Sequence, residues 1–379
     1  MKVILLGVEF HSENRGCGAL AYSICEILKQ VCEIKKDSLS ITAVQFVTKP
    51  LPIIGDNVVV QCIKNEPKKI GFWKQCYREF KNSDLILDFS MGDSFADIYG
   101  KKRFFLASAL KELAIHSKTK FIMAPQTIGP FSTAIPQMWA KHILKKCDIC
   151  FVRDKMSQEY MFDLCKKTPI LTTDVAFSLP YKKREKENYN KIRIGFNPSG
   201  LLWSGTKNFS SSKHIKVDYK EYVGQIMKEW LSKDNVEVHL IPHVFSRHGT
   251  GAEDDKKACR EIHDRYPGTI IEEQFDTPME IKSIIATMDV FVGARMHATI
   301  AAFSSGVATI PFSYSRKFEG LYHDLGYDYL IGGTVMGTNE AVSKTLEWTE
   351  EFHLLQRAVK ECQKKIPEKQ ETFFKVLCE

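Results

Sequence analysis

Short apolar runs alternate with amphipathic segments along most of the chain. In the first half, the runs predict strands over residues 2–6, 84–89, 120–124, 149–153 and 170–172, with helices over 19–30, 102–116, 135–146 and 155–165. In the second half, strands are predicted over 192–197, 236–241, 290–292 and 309–312, with helices over 219–232, 252–265, 278–287, after Arg295 and over 317–325. Strands that alternate with helices indicate βαβ units and parallel sheets. The predicted fold class is therefore α/β, with two doubly wound, Rossmann-like domains.

A change in polarity separates the two halves. Residues 181–191, YKKREKENYNK, have no apolar face and are predicted to be the linker between an N-terminal domain over 1–180 and a C-terminal domain over 192–335. Helices over 339–346 and 350–365 make up a final segment, 336–379. The connection over 199–218 is rich in Ser, Gly and Lys and is too long for an ordinary strand-to-helix loop, which makes it a candidate for a mobile lid and leaves that role open.

Composition narrows the class of protein. With 379 residues, 44% of them hydrophobic and 26% charged, the chain is typical of a globular protein. It has no apolar run of 18 residues and no signal-peptide pattern at its start, and its 11 cysteines are scattered, which favours reduced thiols and a cytoplasmic location. The net charge of +7 suits an anionic substrate, but the dense basic stripe of a nucleic-acid binder is missing.

Ligands of doubly wound sheets bind at the carboxyl ends of the strands, so the loops after the strands are the candidate sites. The first loop contains Asn14, Arg15, Gly16 and Gly18. Its glycines allow a close approach of backbone to a ligand, but the spacing is not that of a dinucleotide fingerprint. Asn14 and Arg15 are predicted either to contact a ligand or to be a turn residue and a surface cation.

Three further loops of the first half carry polar side chains. Asp93 and Asp97 follow the second strand and could orient a sugar hydroxyl, or serve as helix-cap and turn carboxylates. Gln126 lies in a loop that prolines make rigid, where it could hydrogen-bond a polar ligand. Arg153 could bind phosphate or form a structural ion pair with the adjacent Asp154.

The strongest signal is the sequence GARMHATIAA, which contains Arg295 and His297. A guanidinium matches the geometry of phosphate or carboxylate, and an imidazole titrates near neutral pH. Two side chains at i and i+2 share a face only in extended backbone, so the helix is predicted to begin at or after His297. The alternative is a capping arginine and a core histidine. Downstream, the segment of Tyr314 and Lys317 brings a hydroxyl and a cation to the same edge.

Metal sites are not favoured. His243 precedes Asp254 and Asp255, but no metal-ligand spacing is present. Cys147 and Cys150 form a lone C-x-x-C pair that leads into a strand, which favours two core thiols over a redox or zinc site.

Taken in order, the motifs resemble the polysaccharide pyruvyl transferase family over about residues 1 to 330. They are Asn14-Arg15-Gly16, the segment 84–97, Gln126-Thr127-Ile128-Gly129-Pro130, Val152-Arg153-Asp154, Ile241-Pro242-His243, and Arg295-x-His297 followed by Tyr314 and Lys317. The resemblance implies a fold similar to the two-domain GT-B glycosyltransferases, with the domains facing a cleft. It also implies transfer of a pyruvyl unit from phosphoenolpyruvate to a sugar of a polysaccharide or its precursor, with release of phosphate.

The resemblance also implies roles for individual residues. Arg295 would hold the anionic groups of the donor, with His297 as the general acid. Donor contacts would come from Arg153, Lys317, Tyr314 and Gln126, and acceptor contacts from Asn14, Arg15, Asp93, Asp97 and His243. The chain departs from the family pattern at Gly16-Cys17 and at Ser90-Met91-Gly92.

The implied partners are phosphoenolpyruvate as co-substrate, with no other cofactor, and a free or lipid-linked glycan acceptor. A lipid-linked acceptor would bring the protein to the inner membrane surface, which the basic bias permits without requiring. The oligomeric state is left open. Two alternatives are a GT-B glycosyltransferase that uses a nucleotide sugar and a non-catalytic protein that binds a glycan or an anion.

Overall fold

The apolar runs of the first half form a parallel sheet, as their pattern predicts. The computed structural model describes residues 1–47, 58–183, 190–205, 215–245 and 253–379. Within these residues, seven strands form the first sheet in the order β3-β2-β1-β4-β5-β6-β7. They are β1 (Lys2–Leu6), β2 (Leu39–Gln45), β3 (Val58–Lys64), β4 (Leu85–Asp88), β5 (Lys120–Gln126), β6 (Ile149–Val152) and β7 (Ile170–Leu171).

Five helices connect these strands: α1 (Arg15–Lys35), α2 (Ile70–Lys81), α3 (Lys101–Ser117), α4 (Ala134–Lys146) and α5 (Lys155–Cys165). The apolar pattern predicts no element for β2, β3 or α2, and these two strands extend the sheet to its outer edge. The pattern also predicts that α1 begins at residue 19, four residues after its observed start at Arg15. A strand that alternates buried and half-buried positions, as β2 does, carries a weaker apolar signal than a continuously buried one.

A second parallel sheet follows in the second half. Its six described strands have the order β10-β9-β8-β11-β12-β13. They are β8 (Ile192–Asn197), β9 (Val236–Leu240), β10 (Ile270–Ile271), β11 (Val290–Gly293), β12 (Ala308–Ser313) and β13 (Ile331–Gly332). The described helices are α6 (Gly200–Ser204), α7 (Tyr219–Leu231), α8 (Asp255–Arg265), α9 (Pro278–Ile285), α10 (Met296–Ser304), α11 (Arg316–Leu325), α12 (Thr338–Glu350), α13 (Phe352–Gln363) and α14 (Lys365–Cys378). The expected α/β architecture with two doubly wound sheets is confirmed.

Strand order fixes where each sheet has its switch point. Chain order reverses between β1 and β4 in the first sheet and between β8 and β11 in the second. At such a point the loops after two neighbouring strands turn to opposite faces, which leaves a crevice at the carboxyl ends. Asn197 is the last residue of β8, and Arg295 lies in the loop after β11.

The contacts divide the chain into two compact units. The first consists of Met1–Ser12, Leu20–Ser178 and Pro367–Glu379, and the second of Glu13–Ala19 and Leu179–Ile366. The segment predicted as 336–379 is therefore shared, with α12 and α13 in the second unit and most of α14 in the first. In the first unit, the Phe373 ring lies 5.0 Å from that of Phe151.

Two predicted segments fall partly outside the described residues. Within the predicted linker this applies to residues 184–189, and within the predicted lid to residues 206–214. In the described part of the chain, no helix is both long and apolar enough to cross a membrane.

Lys282 of α9 is a buried amine in the second unit. Its ammonium donates to the carbonyl of Leu179 at 2.7 Å and lies 4.9 Å from the ring of Tyr181. Burial lowers the pKa of Lys282 from 10.5 to about 7. Between these two values the unfolded chain binds a proton that the folded chain does not, so this group makes the free energy of unfolding rise with pH there.

Replacing Lys282 with methionine is expected to remove this dependence. The slope from one group is at most about 1.4 kcal/mol per pH unit. Between pH 7.5 and pH 9.5, the free energy of unfolding should therefore rise by about 2–3 kcal/mol less in the variant than in wild type. Urea unfolding measures this difference. Methionine at the exposed Lys228 is the control and should leave the wild-type slope unchanged. Parallel curves for wild type and Lys282→Met would contradict the assignment.

Candidate functional site

Asn197 joins three strand ends at the switch point of the second sheet. Its side-chain amide donates to the carbonyl of Ile241 at 2.8 Å, and its side-chain oxygen accepts the backbone N–H of Arg295 at 3.0 Å. Its own carbonyl accepts the N–H of Ala294 at 3.1 Å. Since the side chain is fully buried, these bonds fix the start of the loop that carries Arg295. The motifs found in the sequence do not include Asn197.

The helix after β11 begins at Met296, so the prediction that it begins at or after His297 is wrong by one residue. Arg295 is the N-cap, with extended backbone at φ −108° and ψ 124°. The extended conformation expected for Arg295 is therefore present, but His297 lies in the first turn of α10. The N-terminal end of the dipole of α10 favours an anion at this position.

Asp255 holds the guanidinium of Arg295. Its Oδ1 accepts from Arg295 Nη2 at 2.8 Å and from Nε at 3.1 Å, and Arg295 Nη2 also donates to the carbonyl of Glu253 at 2.9 Å. The same carboxylate accepts the N–H groups of Gly200 at 2.8 Å and Val244 at 2.9 Å. Asp255 thus joins the loops after β8 and β9 to the start of α10.

This ion pair leaves part of Arg295 for a ligand. Burial alone would lower the pKa of the guanidinium, but the Asp255 carboxylate raises it above its usual value, so Arg295 stays charged. Its Nη1 makes no hydrogen bond to any residue in the described ranges. The Nη1 group, to which Asp255 makes no hydrogen bond, can therefore donate to an anion.

The segment that contains Asn14 and Arg15, which follows β1 in the chain, packs against His243 in the second unit. Asn14 pairs with Val244 as an antiparallel bridge, and the N–H of Arg15 donates to the carbonyl of His243 at 3.1 Å. The Arg15 guanidinium lies 5.1 Å from the ring centre of Phe245. Asn14 and Arg15, predicted to bind the acceptor, thus lie in the same unit as Arg295 and His297, predicted to act on the donor.

His243 is a neutral imidazole in this arrangement. Burial lowers its pKa well below the usual 6.5, and the nearby His297, Arg295 and Arg15 lower it further. His243 can therefore give or accept a hydrogen bond at neutral pH without adding positive charge.

Gly16 is placed directly against His297. A Cβ atom at Gly16 would lie 2.3 Å from Nδ1 of the imidazole, which is closer than Cβ atoms approach other heavy atoms. The Asn14 side-chain oxygen accepts the N–H of Gly16 at 3.0 Å and holds the loop in place. Only glycine at this position leaves the imidazole where it is.

Replacing Gly16 with alanine is therefore expected to displace the His297 side chain. We expect a loss of catalytic rate of at least about tenfold with the overall fold retained, because catalysis by a positioned side chain depends on its geometry. Turnover and circular dichroism are the measurements. Gly320→Ala is the control, since a Cβ there meets no atom within 4 Å. Equal rates for the two variants would contradict a role for this contact.

Tyr314 lies near Arg295 at the end of β12. Burial raises the pKa of its hydroxyl, with opposing effects from Arg295 and Asp255, so the phenol is neutral. Lys317 follows in the first turn of α11, but its side chain lies outside the part of the molecule that is described.

The first unit has its own switch point, with β1 next to β4. Gly7 adopts φ +63°, and a Cβ there would lie 2.2 Å from the backbone nitrogen of Ser90. Arg153 is only 4% exposed, and its Nη1 would lie 3.1 Å from a Cβ atom at Gly92. It donates to Asp174 at 2.5 Å and to the hydroxyl of Thr127 at 3.0 Å.

These contacts bear on the alternatives for Arg153. Arg153 does form a structural ion pair, but its partner is Asp174 and not Asp154. Asp154 instead caps α5 by accepting the N–H of Ser157 at 2.7 Å. Gln126 is also fully buried, and its amide group donates to the carbonyl of Asp88 at 2.7 Å. Donor binding by Arg153 and Gln126 stays a prediction.

Asp93 and Asp97 differ in their surroundings. Asp93 accepts from the Tyr99 hydroxyl at 2.7 Å and is partly exposed. Asp97 is buried and accepts the N–H groups of Ser132 at 2.8 Å and Thr133 at 3.1 Å. Although burial opposes ionisation, these bonds lower the pKa of Asp97. These partners lie 35 and 36 residues further along the chain, so Asp97 is neither a helix N-cap nor a local turn carboxylate. Acceptor binding by either aspartate stays a prediction.

The structure therefore gathers Asn14, Arg15, His243, Arg295, His297 and Tyr314 in the second unit, and Asp93, Asp97, Gln126 and Arg153 in the first. Among the described residues, no group of three His, Cys, Asp or Glu side chains is placed to hold a metal ion.

Comparison with known sequences points to one family. A family model described as polysaccharide pyruvyl transferase matches residues 14–316, which is most of the chain. The match begins at Asn14 and includes Arg153, Arg295 and His297. Comparison with curated proteins gave no match.

Solved structures share the fold at low sequence identity. The Anabaena protein Alr3699/HepE in complex with UDP-glucose has a TM-score of 0.60 at 10% identity, covering 100% of this chain and 98% of its own. A structure described as trehalose-6-phosphate from E. coli bound with UDP-2-fluoro glucose has a TM-score of 0.57 at 9% identity, covering 100% and 99%. The N-terminal domain of trehalose-6-phosphate phosphatase from Candida albicans has a TM-score of 0.58 at 10% identity, covering 99% and 96%. The predicted GT-B class is confirmed.

Proposed function

We propose that this chain, which belongs to the polysaccharide pyruvyl transferase family, moves the pyruvyl group of phosphoenolpyruvate onto a sugar of a polysaccharide or its precursor. The observation that carries the proposal is the pair formed by Arg295 and His297 at the start of α10. Asp255 orients the guanidinium, and Gly16 leaves room for the imidazole.

Arg295 would bind the donor. Phosphoenolpyruvate carries a phosphate and a carboxylate, and both lose water on binding, so the site must supply positive charge and N–H donors. The Nη1 group of Arg295 and the first turn of α10 supply them in this proposal. Arg15, which lies in the same unit, adds a second guanidinium.

His297 would supply the proton. When its imidazole is protonated, it gives a proton to the methylene carbon of phosphoenolpyruvate, which becomes a methyl group next to an oxocarbenium-like carbon. An acceptor hydroxyl attacks that carbon and gives its proton to the imidazole, which is neutral after the first step. A second hydroxyl then displaces the phosphate, which leaves with the proton of that hydroxyl, and the cyclic ketal closes.

A glycosyltransferase reaction is the second candidate. The Anabaena structure of the same fold contains UDP-glucose, and a diphosphate has the same need for positive charge as phosphoenolpyruvate. The two reactions release different products, since a pyruvyl transferase releases inorganic phosphate and a glycosyltransferase releases a nucleoside diphosphate.

Phosphorus NMR with each donor, in the presence and absence of glycan acceptors, tests the proposal. Release of phosphate from phosphoenolpyruvate that depends on acceptor is the expected result. Release of UDP from UDP-glucose, with phosphoenolpyruvate unchanged, would replace the proposal by the second candidate. Binding of phosphoenolpyruvate without turnover for any acceptor would indicate a non-catalytic binding protein.

A further inference from the structure

Four large apolar side chains of the first unit are exposed in two segments. Ile98 and Tyr99, in the loop after β4, are 51% and 41% exposed. Ile135 and Met138, in the first turns of α4, are 67% and 72% exposed. Their spacing of three residues places Ile135 and Met138 on one side of the helix. We call these four residues the apolar patch.

Hydrogen bonds and ring contacts hold the two segments side by side. Asp97, which precedes Ile98, accepts the backbone N–H groups of Ser132 and Thr133, which precede α4. Further along, the Trp139 ring of α4 lies 5.6 Å from the Phe105 ring of α3. The loop and the start of α4 therefore present one surface.

Cations outnumber acids around the apolar patch, where the Tyr99 hydroxyl donates to Asp93 at 2.7 Å and the Trp139 indole donates to Glu112 at 2.7 Å. Residues 97–103 and 131–146 contain six lysines and arginines and a single acidic residue, the buried Asp97. All six cations are exposed: Lys101, Lys102, Arg103, Lys141, Lys145 and Lys146. The Arg103 guanidinium lies 5.3 Å from the ring of Tyr99, so charge and apolar surface are in direct contact.

We propose that the apolar patch and its six cations dock the first unit on an anionic lipid bilayer. Exposed apolar side chains favour insertion below the headgroups, tyrosine suits the boundary between apolar and polar layers, and lysines attract anionic headgroups. A second copy of the chain is a poorer occupant, because a symmetric contact would bring the two sets of cations together. This docking proposal does not depend on the reaction proposed for the site of Arg295 and His297.

Co-sedimentation of the full chain with lipid vesicles tests this proposal. Wild type should bind vesicles made of equal parts phosphatidylcholine and phosphatidylglycerol, not vesicles of phosphatidylcholine alone, and high salt should weaken binding. The double variants Ile135→Ser/Met138→Ser and Lys101→Glu/Lys102→Glu should each lower the partition coefficient by at least about tenfold.

Ile34→Ser/Val335→Ser is the matched control, because both residues are 65% exposed and lie outside the apolar patch. It should bind as wild type, and circular dichroism should show all variants folded. Wild type that stays in the supernatant with both vesicle types would overturn the proposal, as would patch variants that bind like the control. A wild-type dimer in sedimentation velocity that the serine variant converts to a monomer would assign the apolar patch to protein association instead.

Discussion

Replacing His297 with alanine should reduce phosphate release from phosphoenolpyruvate by about 10²- to 10⁴-fold, which is the usual contribution of a general acid. The fold should be retained, because the bonds that join the backbone of Arg295 to Asn197 and its guanidinium to Asp255 remain in the variant. His297 is also only partly buried, so its removal leaves no large internal cavity.

His142→Ala is the control for this prediction. His142 is exposed on α4 in the first unit, and its side chain lies 3.5 Å from Glu112. Steady-state phosphate release and thermal unfolding should be measured for both variants. If His297→Ala retains activity within a few-fold of wild type while remaining folded, the assignment of His297 as general acid is wrong.

Much of the second-unit site could be predicted from local sequence. Arg295 and His297 follow a short buried strand and precede a helix, so their position at a carboxyl end depends only on the strand-helix alternation. The extended backbone of Arg295 could be predicted as well. The exact first residue of the helix could not, since helix ends shift by one or two residues with small changes in geometry.

The partners of these residues depend on distant parts of the chain. Asp255 is 40 residues from Arg295 along the sequence, and Asn197 is 98 residues away. Neither belongs to a short motif, and a buried carboxylate next to a helix cap looks the same in sequence as an ordinary cap. The closest available signal was the position of Asn197 at the end of a predicted strand.

The segment that contains Asn14 and Gly16 shows that the division into domains also depends on contacts between distant parts of the chain. Chain order assigns Asn14 and Gly16 to the first domain, because they lie between β1 and β2. Their contacts with Val244 and His297 place them in the second unit instead. A short segment can leave its domain in this way whenever its backbone pairs with another loop, and periodicity carries no information on that pairing.

Replacing Asp255 with alanine should lower the free energy of unfolding of the second unit by about 3–5 kcal/mol. The variant leaves the buried guanidinium of Arg295 without its carboxylate and the N–H groups of Gly200 and Val244 without their acceptor. Removing one member of a buried pair costs more than the pair contributes, because the remaining charge stays out of water. Urea unfolding followed by circular dichroism measures the change.

Asp254→Ala is the matched control, since the neighbouring carboxylate caps α8 by accepting the N–H groups of Lys256 and Lys257. Loss of such a cap costs about 1 kcal/mol, so the two variants should be clearly separated. Asp255→Asn keeps the shape but turns an acceptor into a donor facing Arg295, so the KM for phosphoenolpyruvate should rise more than kcat falls. Equal destabilisation in both alanine variants, together with an unchanged KM in Asp255→Asn, would show that Asp255 does not position Arg295.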